Sequence, residues 1–451
     1  MTPKHHLVII GFDEIVANKY MACVRQAMRD GAIEGYSVVD LESERGAVEA
    51  RLRVADPPPH ETVFLPDSGT GMRAMEMTAA VLRRHRGDGR SVKVYIATEV
   101  RSHEPYLRYC VEHGFDSLVE KPVLAPVTND RFEPTHITES MEGLIALARG
   151  TSASHSVMTL SRYHRIYNGS LINPLRERML SWKAPLTSLH LRAAGGVWNL
   201  QREYEERDDH PYKYGYGMLM HGAYHYVDLA TQLLSLNRFV FPGRNFRMEL
   251  SSFGAFPVDQ HLRIPHRHAG AFHDAQPRWA RHSQAGRGFG ETDITSVFRL
   301  VDSEAGSVLT LGTLSFEQTT PSIRNWERFP EGRYNKNGRT SSVSVEAQLS
   351  TLCSTHVHCY DVPRGTDADR IDAFARITTR ANASLLPDEA YVSVEEFGGL
   401  FHSDSNRLLM EHWLRGTERR STLPDHLLAM KVTEALASSL AAQGHTISTE
   451  F

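Results

Sequence analysis

Five short apolar runs follow one another in the first 120 residues, at 7–10, 36–39, 63–65, 92–97 and 117–119, and helix-length stretches separate them. After the first run, Ile15, Tyr20, Cys23, Val24 and Ala27 recur near helical spacing. Helical patterns also cover 72–82 and 105–113. Strands that alternate with helices specify a parallel, doubly wound sheet. Such a sheet binds ligands beyond the carboxyl ends of its strands. Gly11, Asp40, Thr98 and Lys121 all stand at those ends.

Residues 122–136 carry several prolines and little periodicity, and read as a connector. Beyond them the pattern changes. Strands are expected at 157–160, 187–191, 296–301 and 307–311, and long helical patterns only at 216–235 and 396–440. The expectation is a second, α+β domain with an open, largely antiparallel or mixed sheet. The chain has 451 residues, about three times the usual single-domain length. We therefore expect one domain over 1–136 and a second over 137–451. Segments 241–290 and 321–341 are rich in Gly, Pro, Arg and Asn and read as loop insertions.

Lys+Arg total 50 and Asp+Glu total 54, a formal charge of −4. A chain so nearly neutral has no general basic field for nucleic acid or an anionic membrane. Four cysteines make no disulfide framework and suit a reducing compartment. No stretch reaches about 18 apolar residues. A soluble cytoplasmic protein is expected, with a small molecule as partner.

There are 24 histidines. His221 and His225 have metal-ligand spacing, but no glutamate of a metalloprotease helix lies between them. In the run from Cys353 to Cys359, a strand turns both cysteines to one side and His356 and His358 to the other. His261, His266, His268, His273 and His282 fall in the long loop and read as solvated or as an oligomer contact. No metal site is expected.

The turn after the first strand reads Gly11-Phe12-Asp13-Glu14-Ile15-Val16. A dinucleotide-binding turn has two further glycines, where this chain has Asp13 and Val16. Two readings stand. Asp13 caps the following helix and no nucleotide binds; or a nucleotide binds beside a degenerate turn. Asp40 supports the second, since an acidic residue there accepts from a ribose hydroxyl. It favours NAD over NADP, although Arg45 nearby leaves NADP open.

Tyr95-Ile96-Ala97-Thr98, then His103, then Gly114, then Val119-Glu120-Lys121-Pro122 resembles the Gfo/Idh/MocA oxidoreductases. Glu99 stands where that family has proline. The run Gly217 to Asp228 is similar to the family's second motif, with His225 and Asp228 in place and His221 where the family has aspartate. Softer matches follow at 291–293, Gly306 and the C-terminal helix, so the resemblance covers nearly the whole chain. It implies a Rossmann-like N-terminal domain, NAD(P)-linked oxidation or reduction of sugars or cyclitols, and a homo-oligomer, a dimer or tetramer. It implies cofactor contacts at Gly11, Phe12, Asp13, Ile15, Asp40, Thr98, His103, Glu120 and Lys121. It implies Lys121 and His225 as the catalytic groups.

Hydride transfer at a carbinol carbon needs a group that takes the hydroxyl proton, and histidine suits neutral pH. We read Lys121 as positioning the oxygen, His225 as exchanging the proton, and His221, on the same helix face, as a polar contact. Taken singly, Lys121 reads as a surface lysine and His225 as a satisfied helix histidine; the flanking motifs reverse this. Arg162, Arg165, Trp198, Tyr212 and Asp228 are candidate substrate contacts. Two rival readings remain: a binding protein without cofactor, and an epimerase- or lyase-type enzyme that recycles bound NAD.

Overall fold

A computed structural model describes residues 5–67, 69–87, 91–196, 199, 201–208, 210–263, 288–320, 341–363, 371–400 and 402–451. Contacts divide the chain into two compact units. The first joins Met1–Pro126, Ile137–Tyr163 and His402–Leu427; the second joins Val127–His136, His164–Phe401 and Leu428–Phe451.

The first unit holds the expected parallel sheet. Its strands are β1 (His5–Ile10), β2 (Ile33–Leu41), β3 (Thr62–Leu65), β4 (Ser91–Ile96), β5 (Asp116–Glu120) and β6 (His155–Met158), in the order β3-β2-β1-β4-β5-β6. Leu7 pairs with Tyr36 on one side and Lys93 on the other, both parallel. Leu7 to Ile10 are all buried, because helices cover both faces and the strand has no wet side. Connections leave β1 and β4 in opposite directions, which opens a crevice at their carboxyl ends. The flanking helices are α1 (Met21–Arg29), α2 (Arg45–Leu52), α3 (Met72–Gly87), α4 (His103–Glu112) and α5 (Ile137–Ala148).

Two expectations about this unit change. The strand expected at 157–160 in the second domain is β6, parallel to β5 in the first sheet. All four of its residues are buried, as a doubly covered strand requires, and α5 is its crossover helix. Part of the expected 396–440 helix also packs here. It is two helices, His402–Arg415 and Leu427–Ala441. Gly416, at φ 67, ends the first. Thr422 and Asp425 form a capping box before the second, with Thr422 N–H donating to Asp425 Oδ2 at 2.8 Å.

The second unit is built on a nine-stranded sheet. Its strands are β7 (Leu186–Ala194), β8 (Phe246–Ala255), β9 (Asp293–Asp302), β10 (Val308–Glu317), β11 (Ser342–Leu349), β12 (Cys353–Pro363), β13 (Ile371–Ala381), β14 (Val392–Gly398) and β15 (Ile447–Glu450). Their order is β14-β13-β12-β11-β7-β10-β9-β8-β15. β7 and β10 run parallel and the other pairs antiparallel, so the sheet is mixed and mostly antiparallel. In the connector, Val127–Thr128 pairs with Arg131–Phe132, and Asn129 and Asp130 take positive φ (51 and 57), as a tight hairpin turn needs.

The expected loop 241–290 is in part a strand. β8 pairs with β9 from Phe246↔Asp302 to Ala255↔Asp293. Phe246, Met248, Leu250 and Ser252 face inward, and the polar residues between them hid the alternation. His266, His268, His273 and His282 lie outside the described residues, as does nearly all of 321–341. In β12, Cys353 and Cys359 are buried, while His356 and His358 pair with Ser344 (2.7 Å) and Ser342 (3.0 Å). The strand therefore separates the cysteines from the histidines. Among the described residues no helix is long and apolar enough to cross a membrane.

Candidate active site

In the first unit, β1 ends on a backbone turn that only glycine fits. Gly11 has φ +88, and a Cβ there would lie 2.8 Å from Ala97 O and 3.0 Å from Thr98 N. Gly11 N–H donates to Val39 O (2.8 Å), and Ala97 N–H donates to Ile10 O (2.8 Å). The ends of β1, β2 and β4 are thus drawn together at one glycine.

Asp40 lies beside this turn. Its Oδ2 accepts from Phe12 N–H (2.7 Å) and its Oδ1 from Leu41 N–H (2.7 Å). Burial raises its carboxyl above the usual range, against the pull of those two donors and of Arg51. Each carboxylate oxygen has a second lone pair that a ribose hydroxyl can use. Arg51 of α2 also donates to Phe12 O (3.3 Å). The sequence pointed to Arg45, but that side chain pairs with Glu42 (2.7 Å) and Glu49 (3.3 Å). Only the course of α2 back toward the turn singles out Arg51.

Asp13 caps the helix, one of its two expected roles. Its Oδ1 accepts from Val16 N–H at 2.8 Å, and its carbonyl accepts from Ala17 N–H at 3.1 Å. The carboxylate thereby holds part of the helix end where an anion would bind. The side chain of Phe12 is in the hydrophobic core and Ile15 packs against it, so at the turn these two residues offer backbone.

At the ends of β4 and β5, His103 ties two loops. Its Nδ1 is 2.9 Å from Pro122 O and its Nε2 is 2.9 Å from Thr98 O. Both carbonyls ask for a donor, whereas a neutral imidazole has one N–H. Burial nevertheless holds its pKa below the usual value. Glu99 accepts from Arg101 N–H (3.2 Å), capping the next turn. Thr98 Oγ1 is buried with no hydrogen-bond partner among the described residues.

Glu120 Oε1 accepts from Tyr95 OH (2.7 Å) and Tyr20 OH (3.4 Å), and Lys121 follows, partly buried. No local pattern marks these two tyrosines as more than core residues. A buried phenol needs a partner, which is the signal that could have found them. Arg162 donates to Arg420 O (3.2 Å) and Asp425 O (2.7 Å), so its guanidinium holds a turn of its own unit.

In the second unit, His221 and His225 lie on consecutive turns of one helix, a π-helical start Leu219–Ala223 running into α6 (Tyr224–Ser235). His221 is buried among aromatic rings: Tyr212 at 4.8 Å, His210 at 5.2 Å and Tyr216 at 5.7 Å between centroids. His225 is partly exposed. Asp228 is fully buried, and its Oδ2 accepts from Gln232 Nε2 at 2.9 Å. Tyr212 OH donates to Gln318 Oε1, and Gln318 Nε2 donates to Tyr204 OH (3.2 Å). Arg165 is exposed near the ring of Phe397 (5.5 Å), and Trp198 lies outside the described residues. Among the described residues no cluster of three or more His, Cys, Asp and Glu is arranged to hold a metal ion.

No protein-family model matches the sequence, and no curated protein matches it. Solved structures match it along its length. An oxidoreductase domain protein from Kribbella flavida is 14% identical with a TM-score of 0.57, over 100% of this chain and 99% of that one. The WlbA dehydrogenase from Bordetella pertussis, solved with NADH and UDP-GlcNAcA, is 15% identical with a TM-score of 0.54, over 99% of each chain. A levoglucosan dehydrogenase solved with NADH and L-sorbose is 12% identical with a TM-score of 0.54, over 99% of each chain. At such identities the likeness is one of fold. The chain has the α/β fold of these oxidoreductase structures, a doubly wound parallel sheet and a separate mixed sheet.

Proposed function

We propose that this chain is an NAD-linked oxidoreductase acting at a carbinol or carbonyl carbon of a sugar-like substrate. The observation that carries this reading is the glycine cradle at Gly11. It stands at the switch point of a doubly wound sheet, between the carboxylate of Asp40 and the Thr98 hydroxyl, which is buried without a partner among the described residues. Structures of the same fold hold NADH with a nucleotide sugar or with L-sorbose.

The residues present fit the adenosine side of a dinucleotide. Gly11 lets the end of β4 close against the turn and so brings Thr98 beside Asp40, Asp40 accepts from ribose hydroxyls, and Thr98 has a hydroxyl to offer. When bound, the nicotinamide supplies the hydride chemistry. From this chain, Lys121 positions and polarises the substrate oxygen and His225 exchanges its proton. His221, in place of an aspartate, brings no negative charge to support His225. An aminosugar or cyclitol substrate, a biosynthetic role, use of NADP and a dimeric or tetrameric assembly are finer readings that rest on the sequence resemblance.

A second reading has its own support. The Asp13 carboxylate at the helix start opposes a pyrophosphate, which favours a binding protein without cofactor. NADH fluorescence titration of the intact protein decides between them. Saturable binding is expected, and its absence with both NADH and NADPH sinks the oxidoreductase reading. Nucleotide that copurifies and is released on denaturation, without net turnover, marks the recycling type. With a turned-over sugar in hand, Lys121→Ala and His225→Ala are each expected to lower kcat at least about 100-fold. A near-normal rate removes that residue from the mechanism.

A further inference from the structure

The helix that carries His221 and His225 has no cap of its own. Met218, at its N-cap, makes no side-chain cap hydrogen bond, and the first turn contains no acidic residue. Helix starts leave N–H groups without intrahelical partners, and burying one unpaired is costly. Here the partner comes from Glu291, 72 residues further along the chain. Leu219 N–H donates to Glu291 Oε1 at 2.7 Å, and Met218 N–H donates to Glu291 O at 2.9 Å.

Two glycines allow this approach. A Cβ on Gly217 would lie 2.0 Å from Glu291 O, and a Cβ on Gly290 would lie 1.9 Å from Tyr216 C. Gly290 N–H also donates to Tyr212 O at 2.9 Å, so the segment is held on both sides of the helix start. His221 N–H donates to Gly217 O at 3.1 Å, which places that histidine one turn above the clamp.

We propose that Glu291 is a positioning residue: it caps this helix from a distant part of the chain and so sets where His221 and His225 stand. The aligned peptide dipoles and the backbone donors favour a charged carboxylate at a helix start, but burial outweighs them here, so the clamp is tightest with the carboxyl neutral. The ionisable groups around it are Asp293 on β9 and Tyr212 on the segment before the helix, with Tyr204 and Arg207 beyond Tyr212. From the helix itself come backbone donors. Burial pushes the Glu291 carboxyl up to about 7 against those donors, so the cap changes charge near neutral pH. The catalytic meaning of this placement rests on the proposed function; the clamp does not.

The test is backbone amide exchange of residues 217–223 in the full chain at pH 6 and pH 8.5, corrected for intrinsic rates. In the unaltered protein, protection is expected to be about threefold lower at pH 8.5, where the buried carboxyl is forced to carry its charge. Glu291→Gln keeps the shape without the charge and is expected to show equal protection at both pH values. Its His221 and His225 side-chain ¹⁵N resonances are expected to titrate at shifted pH. An identical pH response in both proteins, with unmoved histidine titrations, overturns the proposal. If Glu291→Gln does not fold, Glu291→Asp withdraws the carboxylate from Leu219 N–H. It is expected to lose protection at 217–223 while β9 and β10 keep theirs; unchanged protection overturns the proposal. None of these measurements uses cofactor or substrate. A chain that binds no NADH loses the oxidoreductase reading and leaves the clamp standing.

Discussion

Gly11 shows how the absence of one methyl group shapes the first unit's ligand end. Its positive φ and its contact with the backbone of Ala97 and Thr98 are separate demands, and each alone excludes a side chain. Gly11→Ala meets both penalties, and the neighbour is backbone that cannot swing away. We expect a loss of about 2 kcal/mol or more in urea unfolding. A loss below about 0.5 kcal/mol shows that the turn relaxes, and the cradle then loses its rationale.

At the scale of elements, the helix starts decide most. Asp13 caps its own helix, whereas the helix of His221 is capped by Glu291 from another part of the chain. Asn caps a helix as well as Asp but carries no charge. Asp13→Asn is therefore expected to leave thermal stability nearly unchanged and to tighten NADH binding by about fivefold, the order of one screened charge pair near a phosphate. Unchanged affinity means that the carboxylate lies outside the phosphate path. Strands divide by how plainly their pattern reads. β1 and β4 are continuous apolar runs and were legible. β8 alternates, with Arg247, Glu249 and Ser251 between its inward residues, and passed for a loop. β6 was legible as a strand but not as a member of the first sheet, because pairing partners leave no mark on local periodicity.

Across the whole molecule, buried histidines set the response to acid. Burial lowers His155 in the first unit and His164 in the second to about 4 from the usual 6.5. The unfolded chain then binds more protons between those values, so stability present above pH 6.5 falls as pH drops toward 4. Each histidine accounts for about 3 kcal/mol at most. Glu291 has the opposite sign. Its folded value is raised to about 7 from 4.5, so its term favours folding below 4.5 and is lost as pH rises through 7. In the second unit Glu291 nearly offsets His164, which leaves His358, also lowered by burial, as the uncompensated histidine. In the first, burial also lowers His5 and His103, while Asp40 is shifted upward and opposes them in part. Amide exchange at pH 5 against pH 7 is therefore expected to show larger losses of protection in β1, β4 and β5 than in β7, β9 and β10. Equal losses in the two units contradict this account.

The order of strands and helices, the glycine at the end of β1 and the residues at the strand ends were determined by the sequence itself. They are local: a hydrophobic period and a backbone that needs glycine are written in neighbouring residues. Only the tertiary structure decided that Tyr20 and Tyr95 hold Glu120, that Arg162 holds a turn, and that β6 completes the first sheet. It alone decided that Glu291 caps the helix of the two histidines. Each of these joins residues far apart in the chain, and a buried donor finds its acceptor through packing, which no local pattern encodes.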